Sequence, residues 1–358
     1  MRRLTHYVTQ HRRGIIIGAI ACLSLLCLTA CEKKAQEFQH SSLHFGTLID
    51  TTLFGVTQEQ ANTAFDQLDQ DFAYLHSAWS PWIAGPMRRT NYLLPLGKTF
   101  SSSPAILNLV EKSLPIANKT EQLFNPAIGK LIDLWQFHNH DDPNIQPPNE
   151  AEIKRLVKSN PQLDDIKIDG IKIHTNNTDV SLNFGAYAKG YAIDIEMDML
   201  KNMGIKNAII NAGGDLKTMG THGNRAWVIA IKHPRLDTWL AKIKTQNEES
   251  LFTSGDYERY YYYKEKRYHH ILDPRTGYPA QGVQSVTVLH TNSGVADAAA
   301  TALFVAGPEK WLTIAKKLQL KHVMLIDEKG VIHVTPSLKK RLIFNSHIET
   351  TILTTAPL

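Results

Sequence analysis

All three cysteines of this 358-residue chain, Cys22, Cys27 and Cys31, fall in one stretch near its start, and none follows. Whatever the remainder folds into is therefore held by packing and hydrogen bonds, without an internal disulfide. The stretch, MRRLTHYVTQHRRGIIIGAIACLSLLCLTAC, places four arginines and no acid ahead of an apolar run from Gly14 to Ala30. That is the layout of a bacterial export signal. The run ends in Leu28-Thr29-Ala30-Cys31, which resembles a lipobox, the pattern that directs lipid attachment to the cysteine and cleavage before it. The expectation is a signal peptide over 1–30, a lipid-attached tether over 31–43, polar and aperiodic, and one continuous domain over 44–358. The alternative is an uncleaved anchor, for which the run is slightly short. Both place the domain in the bacterial cell envelope, facing the periplasm.

Net charge argues against a nucleic-acid partner. The chain carries +5 at pH 7, and removing residues 1–30 takes away four of those charges and no acid. The mature protein is then close to neutral and offers little attraction to phosphate backbones.

After the tether, HFGTLIDTTLFGV (44–56) reads as a strand or hairpin. Residues 59–79 repeat Ala61, Phe65, Leu68, Phe72 and Leu75 at helical spacing. SPWIAGP must be loop, with Trp82 free to stack on a ligand or to pack. Residues 166–180 suggest short strands about an Asp169-Gly170 turn. The second half mixes strands such as NAIIN, AWVIAIK, YYYYKEKRYHHIL and SVTVLH with helices, and no regular βαβ repeat appears. The fold class expected is α+β, a single large domain of mixed sheets with flanking helices.

Three segments carry chemistry. A helix predicted within 182–204 begins near Gly185 to Gly190, where free backbone N–H groups favour an anion. Lys189 lies in its first turn, unfavourably for a cation, a conflict that a bound phosphate would resolve and an exposed lysine would tolerate. SGVADAAATALFVAGP (293–308) predicts a helix ending at Gly307-Pro308, with Asp297 and Thr301 on one face. Carboxylate and hydroxyl are hard oxygen donors suited to Mg²⁺. The loop YHHILDPRTGYPA (268–280) presents His269, His270, Asp273 and Arg275 around a Pro/Gly turn. Together these suit cleavage of a pyrophosphate or phosphoryl transfer.

The motifs FNPAIG (124–129), NFGAYAKGYAID (183–194), NAGGDL (211–216), TSGDYERY (253–260), HILDPRTGYP (270–279) and ADAAATALFVAG (296–307) occur in an order that resembles the ApbE family of FAD:protein FMN transferases. The resemblance implies an Mg²⁺-dependent enzyme that splits FAD, esterifies FMN onto a partner's threonine and releases AMP. It implies metal ligands at Asp297, Thr301 and the Ala186 carbonyl, and FAD contacts at Phe45, Trp82, Leu123, Phe124, Asn125, Asn183, Lys189 and Ile271. His270 matches the base toward the acceptor threonine. An unshifted imidazole would serve, and His269, facing the other way on an extended segment, would matter less. Similar proteins often carry Asp where this chain has Asn183, which adds no charge for a second cation. Acceptors implied are subunits of membrane redox complexes carrying a short threonine motif. A pyrophosphatase giving FMN and AMP, or a non-catalytic FAD-binding lipoprotein, are the alternatives.

Overall fold

Strand pairing begins at Glu37. In the computed structural model, which describes residues 36–139 and 141–358, β1 (Glu37–His44) pairs along its whole length with β2 (Thr47–Phe54). This corrects the tether expected over 31–43, because residues 37–43 alternate outward with Phe38, His40 and Ser42 half-buried, and Phe38 reaches the core. The export signal and Cys31 lie outside the described residues.

A capping box then starts α1 (Gln58–Trp79): Gln60 N–H donates to Thr57 Oγ1 while Thr57 N–H donates to Gln60 Oε1. Its apolar stripe, Phe65, Leu68, Phe72 and Leu75 included, is buried as the spacing predicts. The chain continues through α2 (Pro86–Leu93), β3 (Phe100–Ser101), α3 (Pro104–Lys119), α4 (Gly129–Trp135) and α5 (Glu150–Ser159). Next come β4 (Lys167–Asp169) and β5 (Lys172–His174), turning at Gly170 with φ 57°. After α6 (Ala188–Asn202) follow β6 (Ala208–Ala212), β7 (Asp215–Met219), β8 (Val228–Lys232), β9 (Trp239–Lys244), β10 (Glu249–Gly255), β11 (Tyr260–Tyr263), β12 (Lys266–His269) and β13 (Val283–His290). The chain closes with α7 (Ser293–Lys317), β14 (His322–Asp327), β15 (Ile332–Val334), α8 (Pro336–Lys339), β16 (Leu342–Phe344) and β17 (Ile352–Thr354). The helix expected to end at Gly307-Pro308 does break there, with Gly307 at φ 74° and ψ 175°, and resumes as far as Lys317.

Nine strands form the main sheet in the order β1-β2-β6-β7-β10-β13-β14-β15-β17, antiparallel except for the β15–β17 pair. Alternation along β14 separates two cores: Val323 and Leu325 face the helices α1, α3, α6 and α7, while Met324 and Ile326 face the small sheet β16-β9-β8. A third cluster packs the β11–β12 hairpin onto α4 and α5 through Leu131, Trp135, Ile153, Tyr261 and Leu272. The helices thus flank sheets that are almost wholly antiparallel, as α+β requires.

One buried group in the helical core works against stability. Glu196 of α6 is fully buried with neither carboxylate oxygen hydrogen-bonded, and burial, with Asp71 nearby, pushes its pKa from 4.5 up to about 8. The folded state holds a proton that the unfolded chain releases, so stability is complete at acid pH and falls as pH rises from about 4.5 through about 8. Glu196→Gln is expected to remove that decline and to add on the order of 2–4 kcal/mol at pH 8. Urea unfolding of both proteins from pH 4 to 9 checks it.

Candidate functional site

The site is built where α6 and α7 cross at Gly190. A Cβ there would lie 2.3 Å from the Ser293 carbonyl oxygen and 2.9 Å from Asp297 Cβ, so only glycine allows the approach. The Gly190 N–H then donates to Asp297 Oδ2 at 3.1 Å, setting a buried carboxylate on the first turn of α6. Burial pushes the Asp297 pKa up to about 7, opposed by the Lys189 ammonium and reinforced by Asp215. Gly190→Ala is expected to cost about 1–3 kcal/mol or more, because backbone must shift to admit the methyl, and to loosen Asp297. Thermal unfolding, together with metal titration, checks both effects.

Thr301, one turn along α7, has its hydroxyl 3.0 Å from Ser254 Oγ on β10. Asp215 opens β7 directly after Gly213 and Gly214, whose φ values are 66° and 102°. Its Oδ1 accepts from Thr253 N–H at 2.9 Å and its Oδ2 pairs with Lys189. Burial works against the Lys189 charge, yet Asp215 and Asp297 hold its pKa above the ordinary lysine range. The penalty for a lysine in the first turn of α6 is thus met by carboxylates of the protein itself. A Cβ on Gly213 would strike Thr47 Oγ1 at 2.3 Å, so the turn carrying Phe45 sits tightly on this Gly-Gly corner. The Phe45 ring lies 5.6 Å from His76 and 6.3 Å from Trp79.

His270 extends the β11–β12 ladder by one position: its N–H donates to the Arg259 carbonyl at 3.0 Å, and Nδ1 lies 3.2 Å from the same oxygen. The unshifted imidazole expected from the sequence is corrected. Burial first, then the charges of Arg259 and His269, with Lys189 last, push its pKa down to about 3, so the ring is neutral in the protein alone near neutral pH. His269 faces the other way, as the extended geometry predicts, but it is not dispensable. It is buried, with Nε2 2.8 Å from the Ala280 carbonyl and its ring 5.5 Å from Phe304. The rest of the loop is a clamp. Arg275 donates to both oxygens of Asp273 and to the Val305 carbonyl, and Trp135 donates to the Gly277 carbonyl at 2.8 Å.

Other residues singled out from the sequence contribute differently. Leu123 and Phe124 are core side chains. Asn125 spends its amide on Pro161 and Ala127, and Asn183 Oδ1 accepts from Gly185 N–H. Asn183 N–H donates to the Pro126 carbonyl at 2.8 Å, which lays these two segments side by side. Ile271 is buried, its carbonyl bonded to Ala280 N–H. Trp82 is 43% exposed, donating to Asp133 with its ring 5.3 Å from His138. Sequence reasoning missed Asp215, Ser254 and Arg259 as site residues. Two of the quoted motifs contain them, but only the pairing of β7 with β10 brings Asp215 and the Thr253-Ser254 pair together.

Among the described residues no group of three or more His, Cys, Asp or Glu side chains is placed to hold a metal. A set of one carboxylate and neutral oxygens still fits Mg²⁺, which keeps waters and takes phosphate oxygens from its substrate. Asp297 supports this, being a buried carboxylate whose one hydrogen bond is from a backbone N–H.

The ApbE family model matches residues 45–325, and the chain belongs to that family. An FAD:protein FMN transferase of Rhodobacter capsulatus is 37% identical over 333 residues, covering 92% of this chain and 63% of that protein. The chain therefore spans less than two thirds of that relative's length. An FAD:protein FMN transferase of Vibrio cholerae is 27% identical over 319 residues, 86% of this chain and 92% of the relative. The ApbE protein of Thermotoga maritima superposes with a TM-score of 0.78 at 27% identity, over 86% of this chain and 99% of that one. The flavin transferase ApbE of Vibrio cholerae gives a TM-score of 0.75 at 24% identity, which bears on the fold alone. The Rhodobacter and Vibrio relatives are transferases, and the α+β architecture is shared with the Thermotoga and Vibrio structures.

Proposed function

We propose that this chain transfers the FMN half of FAD to a threonine hydroxyl of a partner protein. The observation that carries the reading is the buried Asp297 carboxylate, held at 3.1 Å by the Gly190 N–H in the first turn of α6, beside Lys189 and its partner Asp215, with Thr301 one turn along α7. The threonine Oγ attacks the phosphorus on the riboflavin side, its proton passes to His270, the bridging P–O bond breaks, and AMP departs. In the protein alone the ring is unprotonated but a weak base, so this role requires the bound pyrophosphate anion to offset the Arg259 and Lys189 charges and bring the imidazole back toward its ordinary pKa. Asp297, Thr301 and the Ala186 carbonyl would hold Mg²⁺, which when bound neutralises charge on the pyrophosphate. Phe45 and Trp82 supply aromatic surfaces for the flavin or adenine ring, and the main chain of 123–125, Asn183 and Ile271 supplies polar contacts.

The same reading sets the protein on the periplasmic side of a bacterial membrane through lipid on Cys31, with a redox-complex subunit as acceptor. Incubating FAD and Mg²⁺ with and without a threonine-containing acceptor tests it. AMP release that depends on the acceptor supports transfer. Equal AMP release without it identifies a pyrophosphatase, and tight FAD binding with no AMP release identifies a flavin carrier.

A further inference from the structure

Lys189 is the cation that the family resemblance assigns to the FAD phosphates, yet its ammonium is already paired with Asp215 and lies near Asp297. Arg259, immediately before β11, is in the opposite situation. It is half-buried, and among the described residues its guanidinium makes no hydrogen bond, ion pair or ring contact, although its charge acts on the adjacent Glu258 carboxylate. Two contacts locate it. Its own carbonyl accepts the His270 N–H at 3.0 Å, and its Nη2 lies 3.1 Å from where a Cβ on Gly46 would sit, beside Phe45. Its charge opposes both Lys189 and the protonation of His270. Taking a guanidinium partly out of water with no hydrogen-bond acceptor, next to a second cation and with the unbonded Glu258 carboxylate to offset it, leaves its donors open to an anionic ligand.

We propose that Arg259 is a phosphate-binding residue, its guanidinium taking non-bridging oxygens of the FAD pyrophosphate from the side of the Phe45–Gly46 turn. The inference rests on the FAD reading above. A planar guanidinium matches the spacing of phosphate oxygens and can donate twice. Gly46, at φ 73°, leaves the space in which the fork can turn.

The test is binding by flavin fluorescence to the purified full chain, with Mg²⁺ present and no acceptor, comparing FAD with riboflavin, which lacks phosphate. Arg259→Gln is expected to weaken FAD about tenfold or more while riboflavin affinity changes less than about twofold. Arg259→Lys should recover part of the loss. Arg259→Met, which keeps much of the side chain's volume without its charge, should show the same selective loss, and it stands in if the glutamine variant fails to fold. If the wild type binds FAD and Arg259→Gln binds it equally, the assignment to Arg259 is overturned and the FAD reading stands. Equal losses for FAD and riboflavin also overturn it, making Arg259 a support for the fold. A wild type that binds no FAD overturns both.

Discussion

Asp297→Ala is expected to lower FMN transfer by about 10²–10⁴-fold, with excess Mg²⁺ recovering little of it. The estimate follows from removing the one charged metal ligand, when charge neutralisation by a bound cation supplies several kcal/mol of barrier lowering. Folding should survive the change. The carboxylate is costly to bury, which offsets the loss of its hydrogen bond from the Gly190 N–H and of its support for the Lys189 charge. A melting temperature close to that of the wild type, beside a collapsed rate, separates loss of a ligand from loss of structure. Thr301→Val should cost less, since the hydroxyl is neutral and is shared with Ser254. Near-normal transfer by Asp297→Ala with Mg²⁺ present would place the metal elsewhere, and near-normal transfer in EDTA would remove the metal from the account.

His270→Asn is expected to retain FAD affinity and slow transfer by about 10²–10⁴-fold, the range for a lost general base. With the imidazole pKa pushed down to about 3 in the protein alone, kcat/KM should show no rising limb near pH 6.5 from this residue, and any such limb in kcat would report the imidazole beside bound pyrophosphate. His269→Asn is expected to fail differently. Its buried ring ties the strand end to Ala280 and packs on Phe304, so the variant should unfold at lower temperature and lose binding and rate together. Transfer rates at saturating FAD, with fluorescence titrations and melting curves for both variants, check the pair. A His270 variant defective only in FAD binding would leave the loop as a clamp on the dinucleotide.

Where local pattern governs, the sequence was a good guide. The stripe of α1 is buried as its 3.6-residue repeat requires, and the Asp169-Gly170 turn is in place. Of Ala188, Ile195, Met199 and Leu200, whose spacing marks the inner face of α6, Ala188 and Leu200 are buried while Ile195 and Met199 are half-buried, and Ile193, Glu196 and Met197 join the buried set. That helix packs against both α1 and α7, so its apolar period is blurred. Strand β1 escaped notice because it lies at the sheet edge and alternates polar residues with only one large apolar side chain turned inward, Phe38. In the site, the Asp297–Thr301 spacing and the opposed faces of His269 and His270 were legible. The Asp215–Lys189 pair and the free guanidinium of Arg259 were not, because they depend on which strands become neighbours.

The most direct measurement is the intact mass of a threonine-containing acceptor after incubation with this protein, FAD and Mg²⁺, followed by fragmentation. The expected result is an acceptor heavier by FMN less one water, with the modification on threonine, one AMP released per modified chain, and no modification with His270→Asn over the same time. An unmodified acceptor while FAD is consumed would contradict the account.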